Sequence, residues 1–256
     1  MDIQNKVFVI TGGASGLGAA SARYLCAHAA RVVLVDMNEA LGQALAQELG
    51  ENAQFNQLDV TQEADVAAFF QNLKQSHGQL NGLINCAGIA PSAKVLGREG
   101  LHDLAMFQRT LDINVSGTFN MLRHAAELMA QYELKVDEEE RGVIINTASV
   151  AAFDGQIGQA AYAASKGAVV AMTLPLAREL AKNAIRVMTI APGIMETPML
   201  KGLPQNVQDS LGQMVPFPSR LAKPSEYASL IGHIIENSYL NGEVIRLDGA
   251  IRMAAK

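Results

Sequence analysis

Short apolar runs alternate with amphipathic segments along the whole chain. The runs are continuous rather than alternating, as in VFVIT at residues 7–11 and RVVLVD at residues 31–36. Such runs are typical of strands that are buried on both faces of a parallel sheet. Seven of them are predicted strands, at residues 7–11, 31–36, 53–60, 80–88, 142–149, 186–191 and 243–247.

Helical periodicity separates most of these runs. Asn38 is a predicted N-cap for a helix that carries Leu41, Leu45 and Leu49. Further helices are predicted at about residues 19–26, 66–73, 104–130, 162–182 and 225–237. This alternation predicts an α/β fold in which a parallel sheet has helices on both faces. No segment has the composition of a linker, so we expect a single domain over residues 1–256.

Three segments do not follow this rhythm. Residues 90–102 form an insert with proline and glycine, and residues 132–141 form a second insert. The second insert holds the acidic run DEEE at residues 137–140, which we expect to be a solvated loop. Residues 194–220 carry four prolines among apolar side chains. Their length favours a mobile substrate lid over a plain packed connection.

Composition and charge exclude several classes of protein. Hydrophobic residues make up 49% of the chain and charged residues 18%, which suits a well-buried core. The net charge of -5 argues against a general nucleic-acid or membrane-surface binder. Only two cysteines occur, and the N-terminus has neither a basic region nor a long apolar run. We also see no apolar stretch long enough and charge-free enough to span a bilayer. A reducing, cytoplasmic location is therefore expected.

A glycine-rich turn follows the first predicted strand. In TGGASGLG, the residues Gly12, Gly16 and Gly18 have the spacing GxxxGxG. Glycines let the backbone approach a ligand, and the next helix directs its free N–H groups and positive dipole end towards a phosphate. Glycine also serves ordinary turns, but the position between a first strand and a first helix indicates a dinucleotide site.

Asp36 ends the second predicted strand, 18 residues after Gly18. A carboxylate there accepts hydrogen bonds from the adenosine ribose and repels a 2′-phosphate. The neighbours Ala14, Ser15 and Met37 supply no cation for such a phosphate. We therefore predict NAD rather than NADP as the cofactor; the alternative is that Asp36 only caps a turn.

Other strand ends are also predicted to contact the cofactor. Asp59 and Val60, at the end of the third predicted strand, are placed at the adenine edge. Cys86, Ala87 and Gly88 end the fourth, where the chain must pass close to the dinucleotide. All of these residues lie at strand C-termini, where open α/β sheets bind ligands.

The segment YAASK places Tyr162 and Lys166 four residues apart, on one face of a predicted helix. A tyrosine has an ordinary pKa of ~10, and a nearby ammonium favours the phenolate. Ser149, at the end of the fifth predicted strand, would hold a substrate oxygen beside the phenol, and Asn114 would hold a water that relays the proton to Lys166. This set predicts general acid–base catalysis coupled to hydride transfer. For the pair alone, an ordinary tyrosine beside a solvated lysine is the alternative.

No other chemistry competes with this set in the sequence. The five histidines are scattered without ligand spacing, so no metal site is predicted. Ser165 lies inside YAASK, but no glycine-flanked elbow or partner histidine accompanies it as a nucleophile would require.

Taken together and in this order, TGGASGLG, Asp36, NCAG, Asn114, Ser149 and YAASK resemble the short-chain dehydrogenase/reductase family over essentially the whole chain. The resemblance implies a Rossmann fold with a seven-stranded sheet, usually in a homotetramer. In that family the tyrosine is the acid/base, the lysine binds the nicotinamide ribose and lowers the tyrosine pKa, the serine positions the substrate and the asparagine holds the relay water. The implied cofactor contacts are Ser15, Leu17, Asp59, Val60, Cys86, Pro192, Gly193, Met195 and Thr197.

Within that family, GVIINTASVAAFDGQIGQAAYAASKG and IRVMTIAPGIMETPML are similar to the type II 3-hydroxyacyl-CoA dehydrogenases. Those members use NAD to oxidise 3-hydroxyacyl-CoA, and some accept branched acyl chains, alcohols or steroids. The likeness departs near Met195-Glu196, near Glu140 and at residues 206–214. The predicted substrate residues are Ser149, Gln156, Gln159, Tyr162 and Leu200. Lys94 and Arg98 are placed near CoA phosphates, with solvated surface charge as the alternative.

Two rival functions stay open at this point. One is a 3-oxoacyl carrier-protein reductase or a secondary-alcohol or steroid dehydrogenase of the same family. Such a reductase would normally prefer NADP, and Asp36 counts against it. The other is a non-catalytic dinucleotide-sensing scaffold, against which the complete set of Asn114, Ser149, Tyr162 and Lys166 counts.

Overall fold

The computed structural model describes residues 1–98, 100–134, 136, 138–197, 200, 202 and 204–255. Strands and helices alternate as the apolar pattern predicts. In chain order they are β1 (Val7–Thr11), α1 (Gly16–Ala27), β2 (Arg31–Asp36), α2 (Glu39–Leu49), β3 (Ala53–Gln57), α3 (Glu63–His77), β4 (Gly82–Asn85), β5 (Leu96–Gly97), β6 (Gly100–Leu101), α4 (Leu104–Leu111), α5 (Thr118–Ala130), β7 (Gly142–Thr147), α6 (Ala160–Leu180), β8 (Ile185–Pro192), α7 (Gln205–Gln213), α8 (Pro224–Glu236) and β9 (Val244–Leu247).

Seven of the strands form one sheet in the order β3-β2-β1-β4-β7-β8-β9. Every neighbouring pair in this sheet is parallel. The chain order reverses between β1 and β4, so the carboxyl ends of these strands border a crevice. The predicted α/β fold with a seven-stranded parallel sheet is therefore confirmed. The small strands β5 and β6 form a separate antiparallel hairpin in the first insert.

Two apolar layers enclose the sheet because successive residues of a strand point to opposite faces. Val9 and Val33 belong to the layer that includes α3 and α5. Phe8 and Ile10 belong to the other layer, with side chains from α1 and α8. Both faces of the central strands are thus covered, which explains why their apolar runs are continuous.

Several predicted boundaries differ from those observed. The third strand ends at Gln57, so Asp59 and Val60 lie in the loop after it. The fifth predicted strand ends at Thr147, two residues before Ser149. The predicted helix at 104–130 is helical throughout, but a π-helical turn at Asp112–Gly117 interrupts it. Asn38 caps α2 as predicted, because its Oδ1 accepts a hydrogen bond from Leu41 N.

The acidic run in the second insert is not the solvated loop expected from its composition. Glu140 forms an ion pair with Arg186, and both side chains are 7% exposed. Glu140 also accepts a hydrogen bond from the Met1 amino group, and Glu138 pairs with Lys6. Asp137 lies outside the described residues. Through these ion pairs, Glu138 and Glu140 bind the second insert to β8 and to the N-terminal residues.

The helix α6, with the short turn after it, requires a second correction. Residues Ala160–Asn183 are long and apolar enough, by length and composition, to cross a membrane, contrary to the expectation from the sequence. That criterion is weak for a single helix, since core helices also satisfy it. Here α6 packs against β8 and buries Ser165, Lys166 and Val169.

The predicted lid at 194–220 is only partly described. It contains α7 and the return segment to Arg220, whereas Pro198, Met199 and Leu203 lie outside the described residues. Its role as a mobile lid stays a prediction.

Candidate active site

The glycine turn between β1 and α1 has the tight geometry that its sequence predicts. Gly12 and Gly16 have positive φ angles of 60° and 52°. A Cβ added at Gly12 would lie 2.8 Å from Ala87 N, and one at Gly18 would lie 2.2 Å from Gly12 O. A side chain at Gly12 would therefore clash with the segment after β4, and one at Gly18 would clash with the turn itself. The first turn of α1, which includes Leu17, is uncharged, so its N–H groups suit a phosphate.

Asp36 is held beside this turn. Its Oδ2 accepts a hydrogen bond from Ala14 N at 3.1 Å, and its Oδ1 accepts one from Asn38 N at 3.0 Å. The carboxylate is therefore fixed at the end of β2, next to the predicted phosphate site. Met37 beside it is exposed, which leaves the outer side of this position open.

The predicted adenine residues occupy the loop after β3. Asp59 Oδ1 accepts hydrogen bonds from the backbone N–H and the hydroxyl of Thr61, so it stabilises its own turn. The Val60 carbonyl accepts a hydrogen bond from Asn120 Nδ2 at 3.0 Å. Both residues lie at the carboxyl edge of the sheet, as predicted, although beyond the strand itself.

The end of β4 connects the cofactor side to the catalytic side. Cys86 N and Ala87 N donate to the backbone and side-chain oxygens of Thr11. A Cβ at Gly88 would lie 3.0 Å from Asn114 Oδ1 and 3.5 Å from Lys166 Nζ. The side of Gly88 where a side chain would stand thus faces two members of the predicted catalytic set.

Asn114 lies in the π-helical turn and is fully buried. Its Oδ1 accepts from Ile89 N at 2.8 Å, and its Nδ2 donates to Ile89 O and to Ser165 Oγ, each at 2.9 Å. Both amide hydrogens are thus used. A relay water would have to bind an oxygen of Asn114, so the relay role stays a prediction.

Ser165, which sequence reasoning considered only as a nucleophile, has a structural role. Its hydroxyl donates to Tyr162 O at 2.7 Å and accepts from Asn114 Nδ2. It thereby connects the π-helical turn to the first turns of α6. The feature of the sequence that could have indicated this role is the position of Ser165 inside YAASK, one residue before Lys166.

Ser149 and Tyr162 are brought together as predicted. Ser149 begins a short 3-10 turn, where its Oγ accepts from Ala151 N at 3.1 Å. Its hydroxyl also lies close enough to the Tyr162 phenol to influence its ionisation. Burial raises the pKa of Tyr162 above its ordinary value, and the Ser149 hydrogen bond opposes that rise. The net lowering of the Tyr162 pKa expected from Lys166 is therefore wrong, because the cost of burying the phenolate dominates.

Lys166 points inward from α6. Its side chain is buried, and its Nζ donates to Thr147 O at 2.8 Å. Burial lowers the pKa of Lys166 from 10.5 to about 8. Since that value is still above neutrality, the group is mainly an ammonium at pH 7.

The segment after β8 supplies the remaining predicted cofactor residues. Pro192 ends the strand, and Gly193 N donates to Leu247 O at 2.9 Å. Met195 is buried and bridges to Ala222, and Thr197 N donates to Met195 O. This segment lies at the same edge of the sheet as the glycine turn and Lys166.

The predicted substrate residues Gln156, Gln159 and Leu200 lie in the loop before Tyr162 and in the predicted lid. Gln156 and Gln159 hydrogen-bond each other in the loop between Ser149 and Tyr162. Gln156 Nε2 also donates to Ala254 O, so it is tied to the C-terminal segment. Leu200 is partly buried, and its neighbours in sequence lie outside the described residues. A role in substrate binding stays a prediction for all three.

Comparison with known proteins gives consistent results. The family model for short chain dehydrogenases matches residues 6–208. The chain is 54% identical to the "3-hydroxyacyl-CoA dehydrogenase type-2" of Homo sapiens, over 98% of this chain and 97% of that protein. It is 53% identical to the protein of the same name from Drosophila melanogaster, over 98% and 99%. A crystal structure of 3-hydroxyacyl-CoA dehydrogenase type-2 from Mycobacterium avium matches with a TM-score of 0.93 and 38% identity, over 98% of both chains.

Proposed function

The chain belongs to the short-chain dehydrogenase family, and on that premise we propose that it is an NAD-dependent enzyme that interconverts 3-hydroxyacyl-CoA and 3-oxoacyl-CoA. One observation carries the proposal. Ser149, Tyr162 and Lys166 are assembled at the sheet edge of a chain that is 53–54% identical, almost end to end, to enzymes named for this substrate class.

In this reaction the substrate loses a hydride from C3 and a proton from its hydroxyl. Ser149 and Tyr162 would both hydrogen-bond that hydroxyl, because the Ser149 hydroxyl lies close to the Tyr162 phenol. The Tyr162 oxygen would take the proton, and in the reverse direction it would return the proton to the carbonyl oxygen. The nicotinamide dinucleotide supplies the hydride acceptor or donor when bound.

Lys166 and Asn114 would serve the proton and the cofactor together. Lys166 Nζ is close to Gly88, which lies at the predicted path of the dinucleotide. An ammonium there can bind ribose hydroxyls and favours the phenolate of Tyr162. Asn114 fixes the backbone at Ile89 and, through Ser165, the first turns of α6. A free lone pair on an oxygen of Asn114 would accept a hydrogen bond from the relay water.

The choice of NAD rests on Asp36. Its carboxylate is immobilised by Ala14 N and Asn38 N beside the glycine turn. A 2′-phosphate placed against this carboxylate would be repelled, whereas a ribose hydroxyl would donate to it. The glycine turn fits a dinucleotide because its backbone packs too closely for side chains at Gly12 and Gly18, and it leads into the uncharged first turn of α1, whose N–H groups suit a phosphate.

Two basic side chains on the first insert, Lys94 and Arg98, support the proposal that the substrate is a CoA thioester. Ala93 N donates to Gly158 O at 2.8 Å, so the first insert lies against the loop that carries Gln156 and Gln159. Lys94 and Arg98 are exposed on this insert. They would meet the phosphates of a CoA molecule whose acyl end reaches Tyr162.

A substrate panel tests the proposal directly. NADH formation would be measured with 3-hydroxyacyl-CoA thioesters of graded length, with the matching carrier-protein and pantetheine thioesters, and with free alcohols and steroids. We expect the CoA thioesters to have the highest kcat/KM. Lys94→Ala with Arg98→Ala should raise KM for the CoA thioester and leave KM for the pantetheine thioester unchanged. Inactivity on every CoA thioester, with good activity on a free alcohol or a carrier-protein thioester, would overturn the assignment.

We also propose that the enzyme is a homotetramer. Of the 21 residues of α6, one chain buries Ala161, Ser165, Lys166, Val169, Thr173 and Ala177, so most of the helix is not covered. Beside it, a groove of about 300 Å³ between α5 and α6 is lined by Phe119, Leu122, Ala126 and Leu176, among others. A second copy would cover the apolar side chains of this groove, and its charged lining residues Arg123, Glu127 and Glu179 would form the rim of the interface. Light scattering after gel filtration would give the mass, and a monomer or a dimer at micromolar concentration would rule the proposal out.

A further inference from the structure

A buried phenol lies behind the catalytic lysine. Tyr227 is on α8 and is 0% exposed, and its hydroxyl lies 2.7 Å from Thr147 Oγ1 and 3.6 Å from Cys86 Sγ. Thr147 ends β7, and Cys86 follows β4. The phenol therefore contacts the two strand ends that border the site, from the side opposite Tyr162's helix.

The hydrogen-bond directions in this cluster can be assigned. Thr147 Oγ1 lies 2.6 Å from the carbonyl oxygen of Asn85, which can only accept. A hydroxyl has a single hydrogen, so Thr147 donates it to Asn85 O. In the 2.7 Å contact, the hydrogen must then come from Tyr227. The order is Tyr227 to Thr147 to Asn85, and it ties α8 to the ends of β7 and β4.

The same threonine anchors Lys166. The Thr147 side chain accepts from Tyr227, while its carbonyl oxygen accepts from Lys166 Nζ at 2.8 Å. A rotation of the backbone at Thr147 would move this carbonyl, and the ammonium with it. The position of Lys166 relative to Tyr162 and Gly88 therefore depends on how firmly Thr147 is held.

We propose that Tyr227 is a positioning residue for the dehydrogenase reaction, acting through Thr147 to hold the Lys166 ammonium in place. The inference rests on the proposed function, because it assigns Tyr227 to the same site. Two features suit the phenol to this role. Burial raises the pKa of Tyr227 well above its ordinary value, so the hydroxyl remains a donor at working pH. Arg186 donates to the Ile234 and Ile235 carbonyls at the end of α8, which fixes the helix that carries the phenol.

The titratable groups around Lys166 in the described structure come from three elements. Tyr162 faces it from α6 itself, Cys86 from the end of β4, and Tyr227 lies behind Cys86 on α8. Burial raises the pKa of all three above their ordinary values, so each is protonated and neutral at pH 7. A change in the pH profile on altering Tyr227 would therefore report on Lys166 and Tyr162, which alone belong to the proton path.

The test removes only the hydroxyl, with Tyr227→Phe. We expect NADH affinity, measured by fluorescence titration, to weaken roughly three- to tenfold, and kcat to fall by a similar factor, the scale of one lost hydrogen bond. The rise of the oxidation rate with pH should move to higher pH, because a displaced ammonium favours the phenolate less. Tyr24→Phe is the matched control. It removes the hydroxyl of a tyrosine on α1 that packs against Gly232 of α8. It should change neither NADH affinity, kcat nor the pH profile.

A double variant separates positioning from general structural damage. If Tyr227 acts through Lys166, then Tyr227→Phe added to Lys166→Ala should cause no further loss of NADH affinity and no further shift of the pH profile. Should Tyr227→Phe fold poorly, Thr147→Val offers the same test, because it removes the intermediate hydroxyl while retaining the shape of the side chain. Additive effects, or wild-type NADH affinity and pH profile in Tyr227→Phe, would overturn the inference.

Failure of this inference is distinguishable from failure of the proposed function. The NADH titration needs no substrate, and any secondary alcohol that the enzyme oxidises gives the pH profile. An enzyme that binds NADH but rejects all 3-hydroxyacyl-CoA thioesters would refute the substrate assignment and leave the Tyr227 comparison intact.

Discussion

The Lys166 ammonium nitrogen lies 5.8 Å from the centroid of the Tyr162 ring, one turn away on the same face of α6. Burial acts on the two groups in opposite directions, raising the pKa of Tyr162 and lowering that of Lys166 to about 8. At pH 7 the pair is therefore a neutral phenol beside an ammonium. In that state it is ready to donate a proton to a carbonyl, and acting as a base requires a higher pH.

Tyr162→Phe tests the acid/base role. The variant keeps the ring and removes only the proton, so folding and NADH binding should be retained. We expect kcat to fall roughly 100-fold or more, the scale of a positioned proton-transfer group. Steady-state kinetics in both directions would measure this. Retention of more than a tenth of the wild-type rate would place the catalytic group elsewhere.

Lys166→Ala should alter both cofactor binding and the pH profile. The wild-type oxidation rate should rise with pH, because the phenolate is the base and the Tyr162 pKa is raised. Because the phenolate and the ammonium stabilise each other as a coupled pair, removing Lys166 should move this rise to still higher pH, and it should weaken NAD binding. The pH–rate profile at saturating NAD is the decisive measurement. Lys182→Ala, an exposed lysine after the same helix, is the control and should match the wild type.

Lys166 should also reduce the stability of the fold at neutral pH. Its folded pKa of about 8 lies below its ordinary value of 10.5, so the folded state bears the full cost of the buried charge below about pH 8. That cost is about 3 kcal/mol, and it fades as the pH rises from about 8 towards 10.5. Lys166→Met loses one hydrogen bond of about 1 kcal/mol, so it should gain about 2 kcal/mol at pH 7. Denaturant unfolding without cofactor would measure this, and a gain that does not shrink at high pH would contradict the explanation.

Asp36 should determine the cofactor. Asp36→Ala should raise KM for NAD, and Met37→Arg should improve the use of NADP, because an exposed cation would meet the 2′-phosphate. The ratio of kcat/KM values for NAD and NADP is the readout. Glu39→Ala, which removes a nearby exposed acid on α2, should leave the ratio unchanged. A wild-type enzyme that uses both cofactors equally well would refute this prediction.

Arg186→Met should destabilise the protein without a direct effect on the site. The guanidinium pairs with Glu140 and donates to carbonyls of α8 and the turn after it. Removing the guanidinium leaves buried Glu140 with the Met1 amino group as its remaining partner and leaves the α8 carbonyls without their donor, at a cost of up to about 3–5 kcal/mol. Arg123→Met is the control, because its pair with Glu63 is largely exposed and should contribute little. Equal shifts in the two unfolding midpoints would argue against this account.

The sequence by itself determined the fold and most of the site residues. Continuous valine- and isoleucine-rich runs predict strands that are buried on both faces, and all seven occur in one parallel sheet. Parallel strands end at a common edge, so Gly12, Asp36 and Gly88 could be placed together from their positions after strands. Tyr162 and Lys166 could be paired because helical spacing is a local property.

Tertiary structure decided what depends on contacts between distant residues and on burial. Tyr227 and Thr147 are 80 residues apart, and no local pattern relates them. Glu140 reads as part of a solvated acidic run, yet it is paired with Arg186, 46 residues later. The direction of the Tyr162 pKa shift also could not be predicted from the sequence. Spacing revealed the favourable charge of Lys166, whereas the opposing cost of desolvation depends on how deeply the assembled fold buries the phenol.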